Sequence, residues 1–209
     1  MSRGDTPLSF WGGCVRAACE ARWAKRYPSV VEATVSGITS DIAADCAAAK
    51  TAARTLAAAS TDSKNEALAA IAAGRVERSE EIPAANVQDL SDEHAAGLTD
   101  ALIDRLTLTA ERIEAIAAGA REVARLDDPV GEEIESRILD NGLELKKVRV
   151  PLGVVAVVYE ARPNVTIDCA VLTIKSGNAI LLRGSSYAER TNRALADVVR
   201  DGLAKAGLP

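Results

Sequence analysis

Residues 148–184 read VRVPLGVVAVVYEARPNVTIDCAVLTIKSGNAILLRG, and this stretch decides the fold. Val154 to Val158 is an unbroken apolar run, mostly β-branched and too short for a free-standing helix. Such a run reads as a strand buried on both faces. The chemistry then changes to Glu160-Ala161-Arg162-Pro163-Asn164, a polar turn at the strand's carboxyl end. Pro163 removes a donor and fixes φ, so the strand stops there. Thr166 is placed to cap a short helix over 167–176, with Cys169, Ala170, Leu172 and Ile174 facing inward. Gly177-Asn178 closes that helix, because glycine takes the left-handed conformation at a helix end without a Cβ penalty. A second apolar run, Ala179 to Leu182, leads into Arg183-Gly184-Ser185-Ser186 and a last helix over 187–206. Strand, crossover helix, strand, helix is the βαβα unit of a parallel sheet. Ligands of such sheets bind beyond the carboxyl ends of the strands, which here carry Glu160 to Asn164 and Arg183 to Ser186.

Working outward, Gly142 to Val150 reads as an extended strand with one wet face, turned into the apolar strand by Pro151-Leu152-Gly153. The preceding stretch, 38–126, is helical in pattern. Ile42, Cys46, Ala49, Ala53 and Leu56 recur at helical spacing. Ser63-Lys64-Asn65-Glu66 has the form of a capping box for a second helix, which Gly74 interrupts. Ile82 to Leu90, with Pro83, reads as a turn region with a short helix bearing Asn86 and Asp89. Ser91 caps the next helix, Thr99 and Thr109 bracket two more, and Asp127-Asp128-Pro129 stops the pattern. Lys175 reads as a surface residue. Residues 1–37 differ in composition, holding Phe10, Trp11, Trp23 and Tyr27 with Cys14 and Cys19, and read as an extension outside the domain.

Only 3% of the residues are aromatic against 48% hydrophobic, so the core must be aliphatic. A net charge of −5 without a basic stripe argues against nucleic acid. No apolar run approaches the length of a membrane span, and a clean apolar leader segment is missing, so a cytoplasmic protein is expected. Cys14, Cys19, Cys46 and Cys169 form no CxxC pair and no disulfide-rich spacing. The single histidine, His94, lies in a polar stretch and reads as a surface residue, so no metal site is expected.

The strings PLGVVAVVYEARPNVT (151–166) and KSGNAILLRGSS (175–186) closely resemble the gamma-glutamyl phosphate reductase family, also called glutamate-5-semialdehyde dehydrogenases, of the aldehyde dehydrogenase superfamily. The resemblance runs from about Ile38 to Pro209. It implies an α/β, aldehyde dehydrogenase-like fold in which amino-terminal helices precede the start of a parallel βαβα nucleotide-binding sheet. The helical part is 38–126 and the sheet part 142–209 of a partial NADP-binding domain. The catalytic domain with its nucleophilic cysteine is expected downstream, so the chain reads as an amino-terminal half without turnover of its own. The family's reaction reduces an acyl phosphate to an aldehyde. A cysteine thiolate displaces phosphate to give a thioester, and hydride from NADPH then yields the semialdehyde in proline biosynthesis. A homo-oligomer and a small-molecule substrate are implied as well.

By that resemblance Asn164 stands where the superfamily places the amide donor to the developing oxyanion. Its residue-level alternative is an Asn that caps the following helix or fills an Asx turn. Glu160, Ala161, Arg162 and Pro163 are expected along the nicotinamide end, with Arg162 open to either cofactor or substrate. Arg183 matches a position that contacts the adenosine ribose, and its planar fork suits the 2′-phosphate of NADP. The N–H groups of Gly184, Ser185 and Ser186 open the final helix toward an anion. Cys169 reads as a structural thiol and Asp168 is left undecided. The competing reading is a non-enzymatic helical interaction module, built from 38–126 on a degenerate nucleotide fold.

Overall fold

The computed structural model describes residues 39–78, 80–92 and 97–209; His94, Cys14, Cys19 and the aromatic amino-terminal segment lie outside the described residues. The chain divides into two compact units, Met1–Asp45 and Cys46–Pro209. The elements that position the site lie in the second.

The described helices are α1 (Thr39–Ala57), α2 (Thr61–Glu77), α3 (Glu81–Ser91), α4 (Asp100–Leu106) and α5 (Ala110–Arg125). A hairpin follows, β1 (Glu133–Ile138) and β2 (Glu144–Val148), then β3 (Val154–Val158), α6 (Asn164–Lys175), β4 (Ala179–Arg183) and α7 (Glu189–Lys205). β3 and β4 are parallel and in register from Val154 opposite Ala179 to Val158 opposite Arg183. The α/β reading from the apolar runs therefore holds, with α6 as the crossover. Asn178, buried, fixes the entry to both strands. Its Oδ1 accepts the Gly153 N–H at 2.8 Å, and its amide donates back to the Ser176 carbonyl at 3.0 Å. Gly177, at φ +73, makes the left-handed turn that ends α6.

The core joins Leu68 and Ile71 of α2, Ile113 and Ile116 of α5, Ile167, Ala170, Val171 and Ile174 of α6, and Leu195 and Val198 of α7. Those four α6 residues step by three and four, one stripe of a helix. Leu172, expected inward, falls off that stripe and is 53% exposed; Cys169 is half-buried. A smaller cluster sets Ala49, Ala53 and Leu56 of α1 against Ala179. Ile42 and Cys46 are exposed.

Several expectations need correction. β3 is not buried on both faces: Val155 and Val157 are half-covered while Val154, Ala156 and Val158 are exposed, the period-two pattern of one covered face. β2 is wet on both faces, pairing among the described residues only with β1, a strand that its charged sequence EIESRI concealed. α2 starts at Thr61, earlier than the capping box implied, because Ser60 Oγ accepts the Ser63 N–H at 3.1 Å. It also runs through Gly74 without interruption. Ile82 to Leu90 is one helix from Glu81, with Pro83 tolerated in its first turn, where N–H groups have no intrahelical partner. Ser91 ends that helix rather than capping the next. Thr109 does cap α5, its hydroxyl accepting the Arg112 N–H at 3.2 Å. Thr166 does not cap α6. It is buried within it and bonded to the Tyr159 hydroxyl at 2.6 Å.

α2 and α7 touch through Gly202. A Cβ built there would lie 2.4 Å from Ile71 Cγ1 and 2.9 Å from the Ile71 backbone nitrogen. Helix propensity alone favours Ala over Gly by about 1 kcal/mol, but forcing two backbones apart costs about 1–3 kcal/mol. Gly202→Ala is therefore expected to lower the urea midpoint. A raised midpoint would show that the two helices separate freely.

Candidate active-site cleft

The turn after β3 is set by backbone geometry. Ala161 sits at φ +45, a region that non-glycine residues rarely occupy, and its methyl is buried beside Leu106 and Ala188. Glu160 and Arg162 on either side are exposed, and Pro163 is buried. Pro163 has helical φ and ψ and α6 begins at Asn164, so no side chain caps this helix. Asn164 thus occupies the first turn, and its side chain reaches forward. Its Nδ2 donates to Asp168 Oδ2 at 2.9 Å. Neither the capping nor the Asx-turn alternative describes it.

Asn164, Asp168 and Arg162 share a cleft of about 430 Å³ with Arg105, Leu108 and Arg112 from the α4–α5 junction. Arg112 is held in place, donating to the Thr107 carbonyl at 2.9 Å and to Asp104 Oδ1 at 2.8 Å. Arg105 and Arg162 are exposed, and their guanidinium groups form no hydrogen bond or ion pair with a described residue. The cleft therefore offers two uncommitted guanidinium groups close to one amide. Burial pushes the Asp168 carboxyl above its ordinary value, an effect the Asn164 hydrogen bond opposes. Burial, then the Asp168 charge, pushes the Cys169 thiol up, away from the reactive thiolate.

At the β4 tip the ladder continues, the Tyr159 N–H donating to the Arg183 carbonyl at 3.1 Å. Arg183 is exposed and its guanidinium donates to the carbonyl of its neighbour Gly184, with no carboxylate against it among the described residues. Gly184 lies close to the Asn192 side chain, since a Cβ there would lie 2.3 Å from Asn192 Nδ2 and displace it. It borders a hollow of about 350 Å³ with Tyr159 and Asn192. Ser185 Oγ accepts the Tyr187 N–H at 3.2 Å to cap a single 3-10 turn, Ser186–Ala188, that precedes α7. Ser186 opens on a third hollow, with Arg190 and Arg193. The two strand tips are adjacent, but the side chains read from the sequence do not converge on one cleft. Arg162 and Asn164 do; Gly184 and Ser186 face elsewhere.

Lys175 corrects the surface reading. It is buried, its Nζ donating to Asn65 Oδ1 at 2.6 Å and to the Ala124 carbonyl at 2.9 Å, and burial lowers its pKa. Arg105 and Arg112 were missed as cleft residues, because nothing local in 100–112 marks them. The spacing of Asn164 and Asp168, one helical turn, was the available signal for their pairing. No cluster of His, Cys, Asp and Glu suited to a metal occurs among the described residues. No helix among them is long and apolar enough to cross a membrane.

No protein-family model matches the chain. The fold is that of the aldehyde dehydrogenases. A probable aldehyde dehydrogenase from Listeria monocytogenes superposes with a TM-score of 0.55 at 20% identity over 77% of this chain and 33% of its own. More specific likenesses lie within that class. The gamma-glutamyl phosphate reductase of Thermobifida fusca is 53% identical over 154 residues, 74% of this chain and 37% of the relative. The crystal structure of the Thermotoga maritima gamma-glutamyl phosphate reductase matches with a TM-score of 0.74 and 40% identity, covering 77% of this chain and 39% of that one. The Saccharomyces cerevisiae structure of that name matches at 0.73 and 36%, covering 77% and 42%. The matched residues are thus similar to part of a gamma-glutamyl phosphate reductase, and the chain spans about 37% of the length of these curated relatives.

The raised Asp168 pKa has a testable sign. Between the ordinary value of 3.8 and the higher folded value, the native state binds more protons than the unfolded one, so stability falls as pH rises. Asp168→Asn removes that titration. Between about pH 3 and 7 the parent's urea midpoint should lose ground to the variant's as pH rises; parallel curves would mean that the carboxylate is as well hydrated folded as unfolded.

Proposed function

We propose that this segment serves a whole gamma-glutamyl phosphate reductase. That enzyme would reduce L-glutamate 5-phosphate to L-glutamate 5-semialdehyde with NADPH, releasing phosphate, as a cytoplasmic step of L-proline biosynthesis. The observation that carries the reading is Asn164. A neutral amide donor sits in the first turn of a helix, at a cleft with two unpaired guanidinium groups.

In this reading the Asn164 amide donates to the acyl oxygen as it gains negative charge, and being neutral it adds no charge that must be desolvated beforehand. Arg162 and Arg105 hold the anionic ends of the substrate, their fork geometry matching carboxylate or phosphate. The exposed Arg183 fits an anionic ligand because no carboxylate among the described residues neutralises it. With Gly184, Ser185 and Ser186 it would hold the nucleotide's phosphates, while Glu160, Ala161 and Pro163 form the turn toward its reactive end. The nucleotide supplies hydride when bound. The nucleophile is assigned to neither Cys46 nor Cys169, and the assembly is proposed to be a homo-oligomer.

The test uses a full-length protein carrying this segment. Asn164→Ala should lower kcat for NADPH-dependent semialdehyde formation by about 10²–10³, the usual loss for one oxyanion donor. The isolated 209 residues should give no turnover. An undiminished Asn164→Ala enzyme, or robust turnover by the isolated chain, would overturn the proposal.

A further inference from the structure

An amide that stabilises an oxyanion must be aimed before the reaction begins. A free Asn side chain rotates about its terminal bond and can present its carbonyl, which would repel the developing charge. In this chain one acceptor prevents that. Asp168, one turn further along α6, takes one N–H of Asn164 at 2.9 Å. The second N–H has no acceptor among the described residues. The Asp168 carboxylate in turn receives no other hydrogen bond from a described residue, although Arg105, Arg112 and Arg162 line the same cleft.

We propose that Asp168 is a positioning residue, whose carboxylate fixes the Asn164 amide with its carbonyl turned away and one N–H left for the acyl oxygen. The proposal rests on the oxyanion reading of Asn164. A charged acceptor holds an amide more tightly than a neutral one. A merely structural role explains the pair poorly, because a half-buried carboxylate with a single donor is penalised by desolvation, and burial raises its pKa.

The experiment is a double-mutant cycle in the full-length protein carrying this segment. Asp168→Ala should lower kcat about tenfold with KM changed less than about twofold. Asp168→Asn, whose carbonyl still accepts, should recover most of that loss. Adding Asp168→Ala to Asn164→Ala should cost nothing more, since no amide is left to aim. If Asn164→Ala is slow but Asp168→Ala is not, the oxyanion reading stands and the positioning role falls. If Asn164→Ala itself is undiminished, both fall. A full additional loss from Asp168→Ala on the Asn164→Ala background would reveal an unrelated structural role and overturn the proposal. A readout independent of turnover is the Asn164 side-chain ¹⁵NH₂ pair in the 209-residue chain. Its bonded proton should move to the free-amide position in Asp168→Ala and stay near its parental position in Asp168→Asn; an unmoved signal in Asp168→Ala overturns the proposal.

Discussion

The buried carboxylate of Asp89 joins parts of the chain about a hundred residues apart, and the geometry of the site depends on it. Its Oδ2 accepts the Thr191 N–H at 2.8 Å and the Thr191 hydroxyl at 2.7 Å, and its Oδ1 accepts the Arg190 N–H at 3.2 Å. These are first-turn donors of α7, which lack partners within their own helix, and the negative charge stands at the positive end of the helix dipole. α3 thus caps α7 from outside. Asn86, one turn earlier on α3, accepts the Leu108 N–H and donates to the Leu106 carbonyl, both at 2.8 Å. Leu108 lines the same cleft as Asn164. One short helix therefore anchors both the helix that follows the β4 tip and part of the lining of the cleft that Asn164 shares.

Such anchoring suits an aliphatic interior. Side chains of Ala, Leu, Ile and Val supply most of the buried area but interchange easily, so they specify a unique arrangement weakly. Satisfied buried polar groups have no equally good alternative partners. A second set does the same across α2, the turn at Asp128 and α6. Lys64, buried, pairs with Asp128, which also accepts the Thr61 hydroxyl at 2.8 Å. Burial would raise that carboxyl, but hydrogen bonds from Lys64, the Val130 N–H and Thr61 bring it below its ordinary value. Lys175 bridges α2 to the end of α5 nearby. Ridges of aliphatic side chains fill the space between these fixed points.

What could be read from letters followed the range of the interaction responsible. The β3–α6–β4 unit was legible because its signals are local: apolar runs of strand length, a proline turn, and Gly177 at a left-handed position. Lys175, Thr166 and the true start of α2 were not, because their partners are Asn65 and Ala124, Tyr159, and Ser60 with its own geometry. A lysine looks solvated until a carbonyl from a distant helix appears beside it. The exposure of β3 failed for a related reason. Val-Val-Ala-Val-Val has no alternation to reveal that only one of its faces is covered here. At the site, YEARPN marked Asn164 and Arg162. Arg105 and Arg112 come from the α4–α5 junction, whose backbone Asn86 holds from a distant helix.

The neighbourhood of Asp168 also bears on the proposed role of the Asn164 amide. The carboxylate that bonds the Asn164 amide adjoins Cys169 in sequence, and burial together with that charge pushes the thiol's pKa up. A protonated thiol is a poor nucleophile. On the oxyanion reading this is a useful division. An acyl group entering the cleft would meet an aimed donor and two cations but no competing thiolate on α6. Attack on the carbonyl would then fall to a nucleophile other than Cys169. A donor fixed in advance needs no reorganisation as the tetrahedral oxyanion forms.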